Sequence, residues 1–447
     1  MTGSDDYVRL AAALLVAALC IGAIVRPSAG LEAIERAQIA AAAIDTAIDG
    51  APVSARACPP GEPALAGPFA AINDVLSVSP LGGITAPGEA LPAPYIRINT
   101  RRADTAFERR ATEALAPARA DIVAIERMIE RDAEGRAADV SWTVHFRSCE
   151  TIEFYYGRLD SLDEKILRRA GDLAAFSELG GPDHLAIETS IRVQNGDVIG
   201  SADGFDVGLH DLAAAPAPLE APERYRLNPF PRAAVLGAPA SLIKAITPQT
   251  AMARCPIDYL PAGERDAWSA LLGDSWGIRR ARGENACREA VADAPGAARG
   301  VWFTDAAHNA AASKLSAVAL SADAIDPARQ IFALHGRLAS LKPEMVALPP
   351  MMEAEAEEAA KDFLSFESGA GRINRPFEDV RDGKVFCYER LRANFVGPQI
   401  NAVLLVQRET TDGGPAILKI EARGEARACE DLPEPWAFSG EQTVFYR

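Results

Sequence analysis

Between Ser141 and Leu162 the sequence SWTVHFRSCETIEFYYGRLDSL alternates apolar and polar residues with a period of two. Trp142, Val144 and Phe146 share one face and Thr143, His145 and Arg147 the other. After the break Ser148–Glu150, Ile152, Phe154 and Tyr156 again share a face. A helix with 3.6 residues per turn would scatter these side chains around its axis, so the pattern predicts two half-buried strands. Further on, Ile191–Val193 runs into Gln194-Asn195-Gly196-Asp197, and Val198–Gly200 follows. Asn-Gly suits the paired positive φ values of a type I′ turn, so a hairpin is expected there. From about Ala114 to Asp211 the chain therefore reads as a small β-sandwich or barrel.

The N-terminus bears on the address. Leu10–Val25 (LAAALLVAALCIGAIV) is sixteen uninterrupted apolar residues between Arg9 and Arg26. As a helix it spans roughly 24 Å. That is short of a ~30 Å hydrocarbon core unless Tyr7, Val8 and snorkelling arginines extend it. A cleaved signal peptide competes with an uncleaved anchor. Asp5 and Asp6 stand where a signal wants a positive cluster, and Ser28 and Gly30 allow cleavage only weakly. The expectation is a single transmembrane helix, with a signal segment as the alternative, and export of the body in either case. A net charge of −16 and arginines scattered along the chain argue against nucleic acid as a partner.

Six cysteines lie outside the apolar segment: Cys58, Cys149, Cys255, Cys287, Cys387 and Cys429. None forms a C-x-x-C pair, so neither a zinc knuckle nor a thioredoxin-type site is expected. Widely spaced cysteines of even number in an exported chain predict three disulfides among fifteen pairings. The scheme joining each cysteine to its sequence neighbour also matches the domain pattern.

That pattern runs as follows. Residues 1–30 are the anchor or signal segment, and 31–69 a helical stalk (Leu31–Asp49) with a Pro-rich linker. The β domain occupies 70–212, with helical character expected at Ala103–Ala114 and Asp163–Leu179. Residues 213–250 form a second Pro-rich linker, and 251–447 a second β-rich domain. In the latter a short helix is expected at Ala262–Leu272, with Trp268, Leu271 and Leu272 on one face. Strands are expected at Val301–Phe303, Ser316–Leu320, Gln330–Leu334, Lys384–Tyr388, Ala402–Gln407, Ala416–Ile420 and Thr443–Tyr446. Thr410–Gly414 reads as a hairpin turn, and Met351–Lys361 (MMEAEAEEAAK) as a solvated acidic helix.

The order APARADIVAIERM (Ala116–Met128), HFRSCETIEFYYGRLDSL and IRVQNGDVIGSADGFDVGLHD (Ile191–Asp211) resembles the LytM/lysostaphin-type zinc endopeptidases of peptidoglycan. It is most similar to exported relatives of that duplicated-hybrid-motif barrel that are not peptidases. Tyr156-Gly157-Arg158-Leu159 stands where the family has Y-x-H-L, with Arg158 in the histidine's place. Gly196–Gly200 matches the G-x-x-I-G element, and Phe205–Asp211 follows without the H-x-H pair. Pro87-Gly88-Glu89 puts Glu89 at the position of the first histidine. The resemblance implies a mainly β fold with minor α: a LytM-like barrel or sandwich, then the second β-rich domain. CPIDYLP, GAARGVWFT, GRINRPFEDVRDGKVFCYE and ILKIEA extend the likeness over roughly 250–430.

For chemistry the resemblance implies a loss. The family holds zinc with two histidines and an aspartate, and a guanidinium cannot be a ligand. No catalytic residue, metal or cofactor is therefore expected. Arg158, Glu89, His145, Asp206 and His210 are expected to form a ligand-binding groove. A rebuilt His145/His210/Asp211 metal cluster is the alternative, and the plainer expectation is that His145 faces outward and His210 lies in a loop. Gly200-Ser201-Ala202-Asp203-Gly204 has its serine in the wrong place for a nucleophile elbow, and Leu81-Gly82-Gly83 is too short for a phosphate loop. The implied role is that of a non-catalytic envelope protein, anchored in a bacterial inner membrane with its body in the periplasm. Its partner would be peptidoglycan or another envelope protein. A peptidoglycan hydrolase and a purely structural component are the alternatives.

Overall fold

The computed structural model describes residues 56–447 apart from 59–62, 84–91, 103–108, 133, 180, 218–239, 247–249, 283–285, 288–292, 305–316, 336–337, 343–344, 346–362, 382, 394–396, 398 and 411–413. Leu10–Val25, the stalk at Leu31–Asp49, Glu89 and the acidic stretch Met351–Lys361 lie outside the described residues. Among the described residues no helix is long and apolar enough to cross a membrane.

Ala57–Arg447 forms one compact unit, and it is mainly β. Its first half contains β1 (Val75–Ser79), β2 (Ile96–Thr100), β3 (Thr112–Leu115), β4 (Ala120–Arg131), β5 (Ala137–Arg147), β6 (Ile152–Leu159) and β7 (Ser161–Leu162). Helix α1 (Glu164–Arg169) follows, then β8 (Ser177–Glu178), β9 (His184–Val193), β10 (Val198–Ala202) and β11 (Gly204–Asp211). Helix α2 (Ala240–Ile246), β12 (Ala253–Arg254) and helix α3 (Ala262–Ser269) complete it. The large sheet runs β1-β2-β11-β6-β5-β4-β9-β8, with β12 also on β11, and β3-β10-β7 form a small second sheet.

The expected alternation is realised in β5 and β6. Trp142, Val144, Phe146, Ile152, Phe154 and Tyr156 enter one core. There Phe146 and Phe154 stack at 4.6 Å, and Phe205 meets Tyr156 edge-on at 5.3 Å. Each such aromatic contributes roughly 1.5–3 kcal/mol of burial.

Three expectations are corrected here. Asn195-Gly196 does not join a hairpin, because β9 pairs with β4 and β8 whereas β10 pairs with β3 and β7. Only Gly196 takes a positive φ (87°), and Asp197 N–H donates to the Gln194 carbonyl at 3.1 Å. Those signs fit a type II turn rather than type I′. Ala116 pairs with the turn on both sides, which makes it the corner between two sheets. Secondly, Thr112–Ala114 is strand, not helix, and the Asp163–Leu179 stretch yields only α1, a 3-10 turn at Leu173–Ala175 and β8. Thirdly, the buried apolar residues described between 253 and 287 pack into the first core rather than with the later strands. Cys255, Ile257, Leu260, Trp268, Leu272 and Cys287 are among them, and Trp268 meets Phe69 edge-on at 5.1 Å.

The remaining strands are β13 (Gly300–Phe303), β14 (Ala317–Ala322), β15 (Arg329–His335), β16 (Phe363–Glu367), β17 (Val385–Tyr388), β18 (Arg392–Ala393), β19 (Val403–Thr410), β20 (Ala416–Arg423) and β21 (Thr443–Tyr446). They form one sheet in the order β17-β19-β20-β21-β13-β14-β15-β16-β18. The strands β16 and β18 are additions to the sequence reading. Thr410 pairs with Ala416, so β19 and β20 form the expected hairpin.

All three neighbour disulfides are present. Cys58–Cys149, Cys255–Cys287 and Cys387–Cys429 have Cα–Cα distances of 5.1, 5.5 and 6.0 Å. The first two staple the first core, and the third joins β17 to the segment after β20.

Candidate functional site

The face of the large sheet opposite the core carries a cavity of about 410 Å³. Its floor is a transverse row across four strands. Glu126 comes from β4, His145 from β5, Tyr155 from β6 and His210 from β11, and Tyr95 and the α2 residues Ala245 and Ile246 also line it.

Two bulges set which side chains reach this floor. On β4, Ile122 and Ile125 both enter the core, which strict alternation forbids. The register slips between Ile122 and Ala124 against both neighbours: against β5 Val123 is the extra residue, whereas against β9 the extra residue lies on β9. Beyond Val123 the parity reverses and Glu126 faces the cavity instead of the core. On β6 the pairs Trp142↔Leu159 and Val144↔Tyr156 leave Gly157 and Arg158 opposite Thr143 alone. Arg158 adopts φ +60° there, a conformation a non-glycine residue takes only where surrounding structure holds it. Its side chain is thereby exposed at the lip of the cavity while Leu159 returns to the core.

Glu126 is the electrostatic centre. His145 Nε2 lies 2.6 Å from its Oε1 and His184 Nε2 2.9 Å from its Oε2, so one buried carboxylate bridges two imidazoles. Burial pushes the Glu126 carboxyl up, but the hydrogen bonds and charges of the two histidines outweigh it and hold it below its usual range. The Tyr155 ring lies between those of His145 and His210, with centroids 5.8 and 5.9 Å away. It can do so because Gly208 is its neighbour on β11. A Cβ there would fall inside the van der Waals envelope of the Tyr155 ring. Burial first, then the charges of Tyr95, Asp206 and Glu126, keep the Tyr155 phenol protonated well above its usual range. His210 is lowered to about 4 by burial, aided by the charge of His145, and is neutral at neutral pH.

The cavity is acidic in balance. Asp206 pairs with Arg97 at 3.4 Å, and Glu153 pairs with Arg147. At the lip, exposed Glu130 and Asp139 flank Arg158. Asp160 also feels both Arg158 and Asp139, although burial is what chiefly raises its pKa. Asp163 caps α1 by accepting from Lys165 N at 2.8 Å.

Of the residues singled out in the sequence, His145, Arg158, Asp206 and His210 line this one cavity, and Glu89 lies outside the described residues. His145 and His210 are both buried strand residues: His145 does turn away from the core, into the cavity, and His210 is not in a loop. Asp211 is not at the cavity: it accepts from the Tyr259 hydroxyl at 2.7 Å. Glu126, His184, Tyr155 and Tyr95 were missed, the first because its position depends on the Val123 bulge.

Zinc does not fit these residues. The Nε2 atoms of His145 and His184 point at opposite oxygens of one carboxylate instead of converging on a common point, and Arg97 occupies Asp206. Among the described residues no group of three or more His, Cys, Asp or Glu side chains is arranged to hold a metal ion. No protein family, curated protein or solved structure matches the chain.

Proposed function

We propose that this protein is a non-catalytic cell-envelope module whose cavity binds cell-wall material through hydroxyl and ammonium groups. The observation carrying this reading is the cavity floor, where the phenols of Tyr155 and Tyr95 sit among carboxylates and imidazoles. Such a surface offers an aromatic platform with donors and acceptors at its edge, suited to sugar rings and to amines. Arg158 is one cation beside Glu130 and Asp139, so a free carboxylate is a poorer ligand here than a polyol or an amine. The three disulfides support an oxidising compartment. Leu10–Val25 supports an anchor in a bacterial inner membrane, with the body in the periplasm.

The test is calorimetric titration of the full chain with disaccharide-peptide fragments of peptidoglycan, alongside the same fragments with their free amines acetylated. Saturable binding weakened about tenfold or more by Tyr155→Ala is expected. Amine acetylation should weaken it as well, and Arg158→Ala should leave it unchanged or tighter. Absence of saturable binding to any fragment sinks the reading. Turnover of the fragments with stoichiometric zinc would replace it with the hydrolase reading.

A further inference from the structure

A second surface, away from the cavity, differs from the rest of this acidic chain. The turn 273–280 springs from the edge of the large sheet, where Leu272 bridges Val78 of β1, and it is closed by a bridge between Gly273 and Arg280. Asp274 locks it. Its Oδ1 accepts from the Trp276 and Ile278 amides at 3.2 and 2.9 Å, and its Oδ2 from the Arg279 amide at 3.1 Å. Its carbonyl accepts from Gly277 N at 3.0 Å and from Ser77 Oγ at 2.7 Å. Gly277, at φ +68°, backs onto Leu76.

Held this way, the turn presents Trp276 and Ile278 to solvent, 54% and 81% exposed. The chain's other four tryptophans, Trp142, Trp268, Trp302 and Trp436, are all buried.

Arginines surround the tip. Arg102 lies 4.0 Å over the Trp276 ring, and its backbone bridges that of Arg109. The Arg109 guanidinium donates to the carbonyls of Thr100 and Ser275 at 3.3 and 2.7 Å. Burial is what chiefly lowers its pKa; Asp203 opposes the shift, and Arg97 and Arg102 add smaller contributions to it. Arg280 likewise donates to carbonyls, those of Leu271 and Leu76, which leave its charge intact. Arg101 and Arg282 are exposed beside these residues in the chain.

We propose that this face docks onto an anionic lipid bilayer, with Trp276 and Ile278 entering the interface and the arginines meeting headgroup phosphates. A chain of net charge −16 is repelled by such a surface as a whole, so a local arginine cluster selects the face that approaches. Indole is favoured at the headgroup level, where its ring is shielded and its N–H stays wet. A narrow protruding tip with two apolar side chains suits insertion into a fluid interface. A stable protein partner needs an area on the order of 1,000 Å². The proposal does not rest on the cavity's ligand, and either can fail alone.

The test uses Trp276 as its own probe. The full chain is mixed with vesicles of phosphatidylcholine and phosphatidylglycerol bearing brominated acyl chains, and tryptophan emission is recorded. Cosedimentation is not the readout, because Leu10–Val25 can insert by itself. Quenching of one exposed indole is expected, absent in Trp276→Phe and reduced by added salt. Brominated phosphatidylcholine alone, and the Arg101→Glu/Arg282→Glu variant on anionic vesicles, should quench less. Emission indifferent to brominated anionic vesicles overturns the proposal. So does quenching that is equal on zwitterionic vesicles and in the charge-reversed variant.

Discussion

The two large sheets use their apolar residues in opposite ways. In β19, Val403 and Leu405 pack with Cys387, Cys429, Leu432 and Trp436, while Leu404 and Val406 enter the cluster on the other face with Phe332 and Tyr388. Both faces are covered, and the sequence there is a continuous apolar run. In β5 only Trp142, Val144 and Phe146 enter the core, and Ser141, Thr143 and His145 face the cavity. A strand buried on both faces can only support, because any titratable group on it must be desolvated and matched. A strand buried on one face can hold such groups at the edge of solvent, where burial and neighbours tune them without removing them from a ligand's reach. On this comparison the large sheet β13–β21 suits a scaffold, and the polar face of the first large sheet is where the proposed site lies.

The largest expected effect tests the scaffold half. Phe332 is fully buried, with ring centroids 5.7, 4.8 and 5.2 Å from Phe366, Phe377 and Tyr388. Phe332→Ala should cost about 3–5 kcal/mol, read from the shift of the denaturant midpoint. Ligand affinity of the folded fraction should not change. Lost affinity at unchanged stability would break the division between the sheets.

A smaller effect tests the site half through pH. His210 has its folded-state pKa lowered from 6.5 to about 4, chiefly by burial. The unfolded chain therefore binds the proton first. Stability is full above 6.5 and falls as the pH drops from 6.5 to about 4, by on the order of 3 kcal/mol. His210→Gln should flatten that slope in denaturant titrations at stepped pH. A slope that survives the substitution unchanged would place its origin elsewhere.

Smaller again is Glu126→Gln. The amide keeps one acceptor for one imidazole and turns a donor toward the other, at a cost of about 1–3 kcal/mol. Because the Glu126 pKa is lowered from 4.5, its contribution is present above that value and lost as pH falls through the folded-state pKa. The variant should lack this acid limb. An unchanged acid limb in thermal or denaturant unfolding would show that the two histidines do not hold the carboxylate ionised.

Glu126 also shows where sequence reading stops. Period-two alternation placed β5 and β6, and short apolar runs between polar breaks placed seven strands of the second half, all within a few residues. Alternation applied from Ile122 puts Glu126 in the core, and only the extra residue at Val123 turns it outward. Arg158 was singled out by motif, but its place at an exposed lip follows from a second bulge. The Asn-Gly turn misled because it marks a tight reversal of direction without specifying which strand the chain joins next. The segment 253–287 misled because a Pro-rich composition marks a connection and says nothing of which core the chain returns to.

The smallest change in stability is expected at Gly208, and it bears most directly on the cavity. Gly208 faces the cavity between Asp206 and His210, with a strand backbone any residue can adopt. The three atoms nearest the added methyl of Gly208→Ala all belong to the Tyr155 ring, the far end of a side chain that can rotate aside. Removing a strand glycine also lowers the entropy of the unfolded chain, by roughly 0.5–1 kcal/mol relative to alanine. The two effects oppose each other, so the net change should stay within about 1 kcal/mol. Binding should respond differently. Once displaced, Tyr155 no longer lies between His145 and His210, and the platform is lost without any titratable group being touched. Gly208→Ala should thus reproduce most of the affinity loss of Tyr155→Ala at nearly wild-type stability. Full affinity in Gly208→Ala would mean that the ligand does not use the ring where the structure holds it. The polar face of the first sheet would then bind through its carboxylates, its imidazoles and Tyr95 instead.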